Sequence, residues 1–260
     1  MNDQNDHPAP NVRRSAFFFD VDGTLAEIQP RPELVFIPAP TLAALERLHA
    51  EGIPVAVISG RPLAQLDALL EPLRLPAAGV HGAERRDADG QRQNLALDDS
   101  TFARIQTELR QACDAHPGLH LENKAVAFAL HFRQSPELED VARTLAEAFV
   151  ERYADVLALQ PGKCVFELKP RGASKGEVIR AFMAEAPFAG RTPVFLGDDL
   201  TDEAGFAAIN DLGGLSIKVG DGPSEARARL PSVAAVGAWV EALQRSLDEP
   251  IKNRQERELP

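Results

Sequence analysis

Phe17-Phe18-Phe19-Asp20-Val21-Asp22-Gly23-Thr24-Leu25 decides the architecture of this chain. Three consecutive aromatic residues leave no polar face, the pattern of a strand buried on both sides in a parallel sheet. Gly23 lets the backbone turn sharply straight afterwards. Ligands of open α/β sheets bind beyond the carboxyl ends of the strands, so Asp20 and Asp22 are expected on a rigid element facing a cleft. Two carboxylates this close repel each other unless a cation or a shared proton offsets them. Mg²⁺ meets that need, because it takes carboxylate and backbone oxygens readily.

The same texture continues outward. Residues 55–58 read as a second parallel strand, and Leu42, Leu45 and Leu48 mark a crossover helix over 41–51. A short helix over 63–70 and a third strand over 77–80 follow. Beyond Pro170 this α/β pattern returns. Ser174 and Glu177 give a capping-box signal for a helix reaching Ala186. Buried-type strands are expected at 193–196 and 217–219, and helices at 201–210, 223–230 and 234–247.

The intervening stretch is different. It opens with a polar hairpin over 84–94 that turns at Asp89-Gly90, then a helix over 101–116 and an alternating strand over 126–133. A second helix starts at Ser135-Pro136 and runs to Tyr153. Strand-like runs at 156–160 and 164–168 flank a turn at Pro161-Gly162. The reading is one α/β core with a Rossmann-like parallel sheet, built from residues 15–80 and 170–247, with an α+β cap inserted at 81–169. Residues 1–14 and 248–260 are expected as flexible tails, and the links near 79–82 and 169–172 as hinges.

Composition limits the function. At 260 residues and 44% hydrophobic content the chain can bury a full core. No apolar run is long enough to span a bilayer, and the polar opening lacks the apolar segment of a signal peptide. A cytoplasmic monomer is expected. Cys113 and Cys164 stand outside any CxxC spacing and read as core thiols. A net charge of -11 argues against nucleic acid or a membrane as partner. An acidic protein that handles an anion must therefore concentrate its positive groups locally.

Four separated segments place polar groups just after a buried-type strand or at the start of a helix: Asp20 with Asp22, Ser59-Gly60-Arg61, Lys175, and Asp198-Asp199 with Asp202. Each alone could be a helix cap or a solvated loop. Phosphoryl transfer gives every one a role. Asp20 can attack phosphorus as a nucleophile, with Mg²⁺ held between Asp20 and Asp198. Ser59 can donate to a phosphoryl oxygen, and Lys175 can offset the charge that gathers there. Asp22 can protonate the leaving oxygen and then activate water. Asp199 and Asp202 form a supporting acidic loop, in which Asp202 ranks below Asp198 as a ligand because it also suits a first helical turn.

DVDGT, the serine of ISGR, Lys175 and GDDLTDE follow the order of the four motifs of the haloacid-dehalogenase-like phosphatases, which the chain resembles. That resemblance implies Mg²⁺ bound by Asp20, the backbone carbonyl of Asp22, and Asp198, and a cap of the C2 type. Longer segments, FFFDVDGTLAEI, AGVHGAERR, ENKAVAFALHFR and GKCVFELKPRGASKG, are similar to the trehalose-6-phosphate phosphatase family. This implies trehalose 6-phosphate as substrate, gripped by Glu122, Lys124 and Glu167, with Arg61, His81, Glu84, Arg133 and Lys163 nearby. A phosphatase of another sugar phosphate, a phosphomutase and a non-catalytic sugar-phosphate-binding module remain alternatives.

Overall fold

The computed structural model describes residues 10–124 and 126–248. The expected tails over 1–9 and 249–260 lie outside the described residues. Strand β1, Ser15–Phe19, is buried along its whole length, and its alternation serves two layers at once. Phe17 and Phe19 pack into one cluster with Leu45 and Leu48 of α1 (Ala39–Ala50) and Trp239 and Val240 of α7 (Val233–Ser246). Phe18 points the other way, into a cluster with Ile179 and Phe182 of α5 (Lys175–Met183) and Phe206 of α6 (Glu203–Asp211). A strand with helices on both faces favours apolar side chains at successive positions, and the aromatic run follows from that.

Parallel pairing joins β1 to β2 (Val55–Ile58) on one side and β10 (Thr192–Gly197) on the other. Helix α2 (Leu63–Leu70) leads from β2 to β3 (Ala77–Gly79). The hairpin strands β4 (Glu84–Arg86) and β5 (Arg92–Asn94) follow. With β11 (Leu215–Val219) and β12 (Ala228–Leu230) they complete an eight-stranded sheet in the order β12-β11-β10-β1-β2-β3-β4-β5.

A separate four-stranded antiparallel sheet has the order β6-β7-β9-β8. Its strands are β6 (His120–Asn123), β7 (Phe128–His131), β8 (Leu157–Gly162) and β9 (Val165–Pro170). Helices α3 (Asp99–Asp114) and α4 (Glu139–Arg152) cover one face, with Ile105, Leu109, Ala142 and Phe149 packed on Phe128, Leu130, Phe166 and Leu168. The opposite face carries a cross-strand row Glu122–Ala129–Glu167–Gln160.

Four local outcomes differ from the sequence reading. The polar hairpin grouped there with the inserted unit instead extends the large sheet through β3. The two arginines of β4 are buried: Arg86 donates to Leu75 O and Asp67, and Arg85 lies 4.5 Å over the Phe182 ring. Within residues 223–230 the expected helix is absent, and Ala228–Leu230 pairs with the open edge of β11, tertiary pairing overriding local propensity. The β8–β9 turn falls at Lys163-Cys164, where Cys164 has φ 62° and is only half-buried, not at Pro161-Gly162. Pro161 is tolerated within β8 because that strand is at the sheet edge. Finally, residues 12–14 form a 3₁₀ turn with Val12 buried, and Arg13 donates to Leu247 O at 3.0 Å, so the expected tail is already folded there.

Phe18 is fully buried between Phe182 and Phe188, at ring distances of 6.0 and 5.4 Å. Phe18→Ala is expected to cost about 3–5 kcal/mol of stability, whereas Phe36→Ala, at a residue 65% exposed, stays within about 0.5 kcal/mol. Urea unfolding of the two variants measures the contrast. Equal costs would contradict the two-layer packing of β1.

Candidate active site

The carboxyl ends of β1, β2 and β10 bring the separated acidic and basic segments together. Asp20 follows β1 directly, is 4% exposed, and its backbone N–H donates to Leu196 O at 3.0 Å. Lys175 opens α5, where Ser174 caps the helix by accepting from the Glu177 N–H. The Lys175 ammonium donates to Asp20 Oδ1 at 2.8 Å and to Asp202 Oδ1 at 2.6 Å, and all three groups are buried. The other oxygen of Asp202 accepts from the backbone N–H groups of Asp198 and Asp199 at 2.9 and 3.0 Å. Asp202 thus holds the loop and the lysine, which explains an acid at a position with no exposure.

Asp199 accepts from the Thr201 backbone and hydroxyl at 2.8 and 2.6 Å and caps the short turn Leu200–Asp202. Asp198 keeps its carboxylate toward Asp20, and its own carbonyl accepts from Lys218 of β11. Ligand atoms of Asp20, Asp198 and Asp202 all lie within 4.8 Å of one another. Gly23 (φ +84°) makes this approach possible, since a Cβ there would stand 2.1 Å from Asp198 Oδ2.

Crowding has an electrostatic cost. Burial raises the Asp20 carboxyl well above its ordinary range, against the pull of Lys175, and Asp202 and Asp198 raise it further. Burial, with Asp202 and Asp199 adding repulsion, pushes Asp198 up to about 7. Two hard oxygen donors that resist ionisation side by side fit a bound Mg²⁺, and Asp202 is committed to Lys175 and two amides. Asp20 and Asp198 are therefore the carboxylates suited to hold the ion.

Ser59 follows β2 directly with 1% exposure, and its hydroxyl accepts from the Arg61 N–H at 3.3 Å. Arg61 grips Asp22 as a fork, Nε to Oδ2 at 2.6 Å and a terminal nitrogen to Oδ1 at 2.7 Å. Glu84 serves the fold, since its Oε2 accepts from the Leu63 N–H at 2.7 Å and so anchors the start of α2.

On the small sheet, Lys124 donates to Glu167 Oε1 at 2.5 Å and to Gly60 O at 3.2 Å, so it reaches from the cap sheet to the loop after β2. Glu122 Oε2 meets His131 Nε2 at 2.8 Å, which holds its carboxylate below the usual range. Arg133 and Lys163 stand apart from this group. Both are exposed at the far end of the sheet, where Arg133 donates to Lys163 O at 3.2 Å.

Comparison with known proteins fits this geometry. The trehalose-phosphatase family matches residues 18–233. Trehalose-6-phosphate phosphatase of Escherichia coli (strain K12) is 51% identical over 239 residues, covering 92% of this chain and 90% of that protein. The chain belongs to the trehalose-phosphatase family. A probable trehalose-phosphate phosphatase of Sinorhizobium fredii is 40% identical, with 88% of this chain and 87% of the relative covered. The C-terminal domain of the C. albicans trehalose-6-phosphate phosphatase superposes with a TM-score of 0.77 at 23% identity, covering 92% of this chain and 98% of that one. That likeness shows the fold: a largely parallel-sheet core with a separate four-stranded α+β unit inserted.

In this member of the trehalose-phosphatase family, several groups at the site carry no motif signal. Lys218 comes from β11 to the Asp198 carbonyl. Lys169 is buried on the same face as Glu167 and donates to Gln160 at 2.9 Å. Alternation along β9 marks Lys169 as a partner of Glu167 in facing direction, but which face meets the core is set only by the packing of α3 and α4.

The raised Asp198 pKa yields a pH prediction for the family member without metal. The folded state holds a proton to about 7 while the unfolded chain releases it near 3.8, so stability falls as pH rises across that window. Mg²⁺ binds the ionised carboxylate. The rise in melting temperature on adding Mg²⁺ is expected to be larger at about pH 8 than at about pH 6. Scanning calorimetry at both values measures it, and an equal rise would remove Asp198 from the metal site.

Proposed function

We propose that the protein is a Mg²⁺-dependent phosphatase that hydrolyses α,α-trehalose 6-phosphate to trehalose and inorganic phosphate, the final step of trehalose biosynthesis. The observation that carries this reading is the meeting of two clusters in one member of the trehalose-phosphatase family. Asp20, Lys175 and Asp198 gather at the rim of the core sheet, and Lys124 and Glu167 reach that rim from the cap sheet.

Asp20 is the nucleophile. One of its carboxylate oxygens bonds to phosphorus as the bond from phosphorus to the sugar oxygen breaks, leaving an aspartyl phosphate. Lys175, anchored by Asp202, keeps Asp20 oriented and balances charge as the phosphoryl group moves. Mg²⁺ bound by Asp20, Asp198 and the Asp22 carbonyl supplies the positive charge that lets an anionic nucleophile meet an anionic substrate.

Asp22 gives a proton to the departing sugar oxygen, then takes one from the water that opens the acyl phosphate. The Arg61 fork can turn from Asp22 to a phosphoryl oxygen, which frees the Asp22 carboxyl for this exchange. Ser59 donates to the phosphoryl group. Glu122, Lys124 and Glu167 bind sugar hydroxyls, and the small-sheet unit acts as the cap that excludes water over the site. Arg133 and Lys163 would meet substrate only at the outer end of the cleft.

Among the described residues no helix is long and apolar enough to cross a membrane. A cytoplasmic place of action belongs to the proposal and agrees with two free cysteines.

Phosphate release from trehalose 6-phosphate, sucrose 6-phosphate, glucose 6-phosphate and mannosyl-phosphoglycerate tests the substrate. A preference for trehalose 6-phosphate that chelation abolishes is expected. Preference for another member of the panel would keep the chemistry and overturn the substrate. Asp20→Asn is expected to lower kcat at least about a thousandfold while calorimetry still detects substrate binding; appreciable turnover by that variant would rule Asp20 out as nucleophile.

A further inference from the structure

The segment joining β3 to β4 carries an expensive backbone. Val80 and His81 are consecutive non-glycine residues in the left-handed region, at φ 47° and 55°. A β-branched residue there is a genuine outlier, and such conformations persist where the surroundings over-determine them, often at functional sites. Here the surroundings are the loop after β2. The Val80 N–H donates to Arg61 O at 3.1 Å and the His81 N–H to Ser59 O at 3.0 Å. This arrangement sends the imidazole across Gly60, where a Cβ would stand 2.7 Å from His81 Nε2. Both the strained turn and the missing side chain at Gly60 serve the path of one ring.

That ring ends at the cap. His81 Nε2 lies 2.9 Å from Glu167 Oε2, with the two side chains 8% and 7% exposed. The approach is close but off the ideal hydrogen-bond direction, and both Glu167 Oε2 and the far nitrogen, His81 Nδ1, lack a well-directed partner. Glu167 Oε1 takes Lys124 at 2.5 Å, and Lys124 also reaches Gly60 O at 3.2 Å. Gly60 and His81 of the core thus close a ring of contacts with Lys124 and Glu167 of the cap. Burial drives His81 toward its neutral form, against the pull of Glu167, so Lys124 balances the Glu167 charge and the imidazole fixes its direction.

We propose that His81 is a positioning residue for substrate recognition: from the core, it sets the Glu167 carboxylate of the cap in register with the phosphoryl site. A turn alone would be met at less strain by glycine or asparagine. Histidine at this backbone is explained by its reach to Glu167. A carboxylate held from both sides presents its remaining lone pairs in one direction, which selects the sugar hydroxyl it can accept from. Specificity for the sugar then depends on a core residue whose side chain crosses Gly60 and meets the cap at Glu167. The inference deepens the trehalose 6-phosphate reading and rests on it for the choice of substrate.

A double-mutant cycle with the Mg²⁺-loaded enzyme tests it, using His81→Asn and Glu167→Gln singly and together. Asparagine tolerates the left-handed backbone, and His81→Gly serves as the second replacement should His81→Asn not fold. On trehalose 6-phosphate, His81→Asn is expected to raise KM more than it lowers kcat. The two substitutions should couple by about tenfold in kcat/KM. The loss on trehalose 6-phosphate should also exceed that on p-nitrophenyl phosphate, a small substrate without sugar hydroxyls. Multiplicative losses would show His81 and Glu167 acting independently and overturn the proposal. Equal losses on both substrates would assign His81 to the phosphoryl site or to the fold and also overturn it. Failure of the substrate reading is visible separately, in wild-type enzyme that prefers another sugar phosphate; the cycle is then run on that compound.

Discussion

The Lys175 ammonium, 2.8 Å from Asp20 and 2.6 Å from Asp202, is the contact on which the rest of the site depends. It ties the end of β1 to the start of α5 and to the loop after β10, three segments distant in sequence. A lysine in the first turn of a helix opposes the helix dipole, and a buried ammonium without partners is costly. Both penalties are met only if the two carboxylates arrive together. Breaking such a buried group by removing one partner typically costs about 3–5 kcal/mol, so the triad orders the strand ends as well as the chemistry. It also leaves Asp198 outside the pairing, beside Asp20 and short of positive charge, which is the condition that a divalent cation answers.

Much of the core was legible because its constraints act on neighbours in sequence. A strand covered on both faces favours apolar residues at successive positions, and Phe17, Phe18 and Phe19 display that directly. Asp20 and Asp22 at the end of that strand inherit their position from the same rule. Asp202 was harder to read. Its bonds to two loop amides and to Lys175 exist only once α5 packs against α6, and a first-turn acid has an ordinary alternative explanation. Lys218 had no sequence signal, because it acts through a carbonyl contributed by another strand end. The segment over 223–230 misled for a related reason: its residues favour a helix, but an unpaired edge of β11 offered hydrogen bonds that local propensity cannot register.

In the cap, alternation identified strands without saying which face meets the core. Glu122, Glu167 and Gln160 share one cross-strand row, and that row is fixed by register, which depends on the β8–β9 turn falling at Lys163-Cys164. Placing that turn at Pro161-Gly162, as the sequence suggested, hides the pairing of Gln160 with Glu167. Arg133 and Lys163 have the same chemistry as Lys124 but occupy the exposed far end, where hydrogen bonding joins them to each other's segment and not to the cleft. Residue type alone could not separate them, whereas distance from the strand ends nearest the core does.

The charge of the whole chain, -11, gives no long-range attraction for a sugar phosphate, and exposed charges are screened within about 8–10 Å in physiological salt. The positive groups at this site are local and already engaged: Lys175 with two aspartates, Arg61 with Asp22, Lys124 with Glu167, Lys169 with Gln160. A ligand entering this site therefore meets donors that already hold acceptors of the protein. Recognition among such pairs gains little from charge alone and favours the ligand whose groups fit the positions the pairs leave open. The strained turn at Val80-His81 and the buried triad at Lys175 then meet one requirement: Glu167 and Asp20 are each held in one direction by a partner from a distant segment.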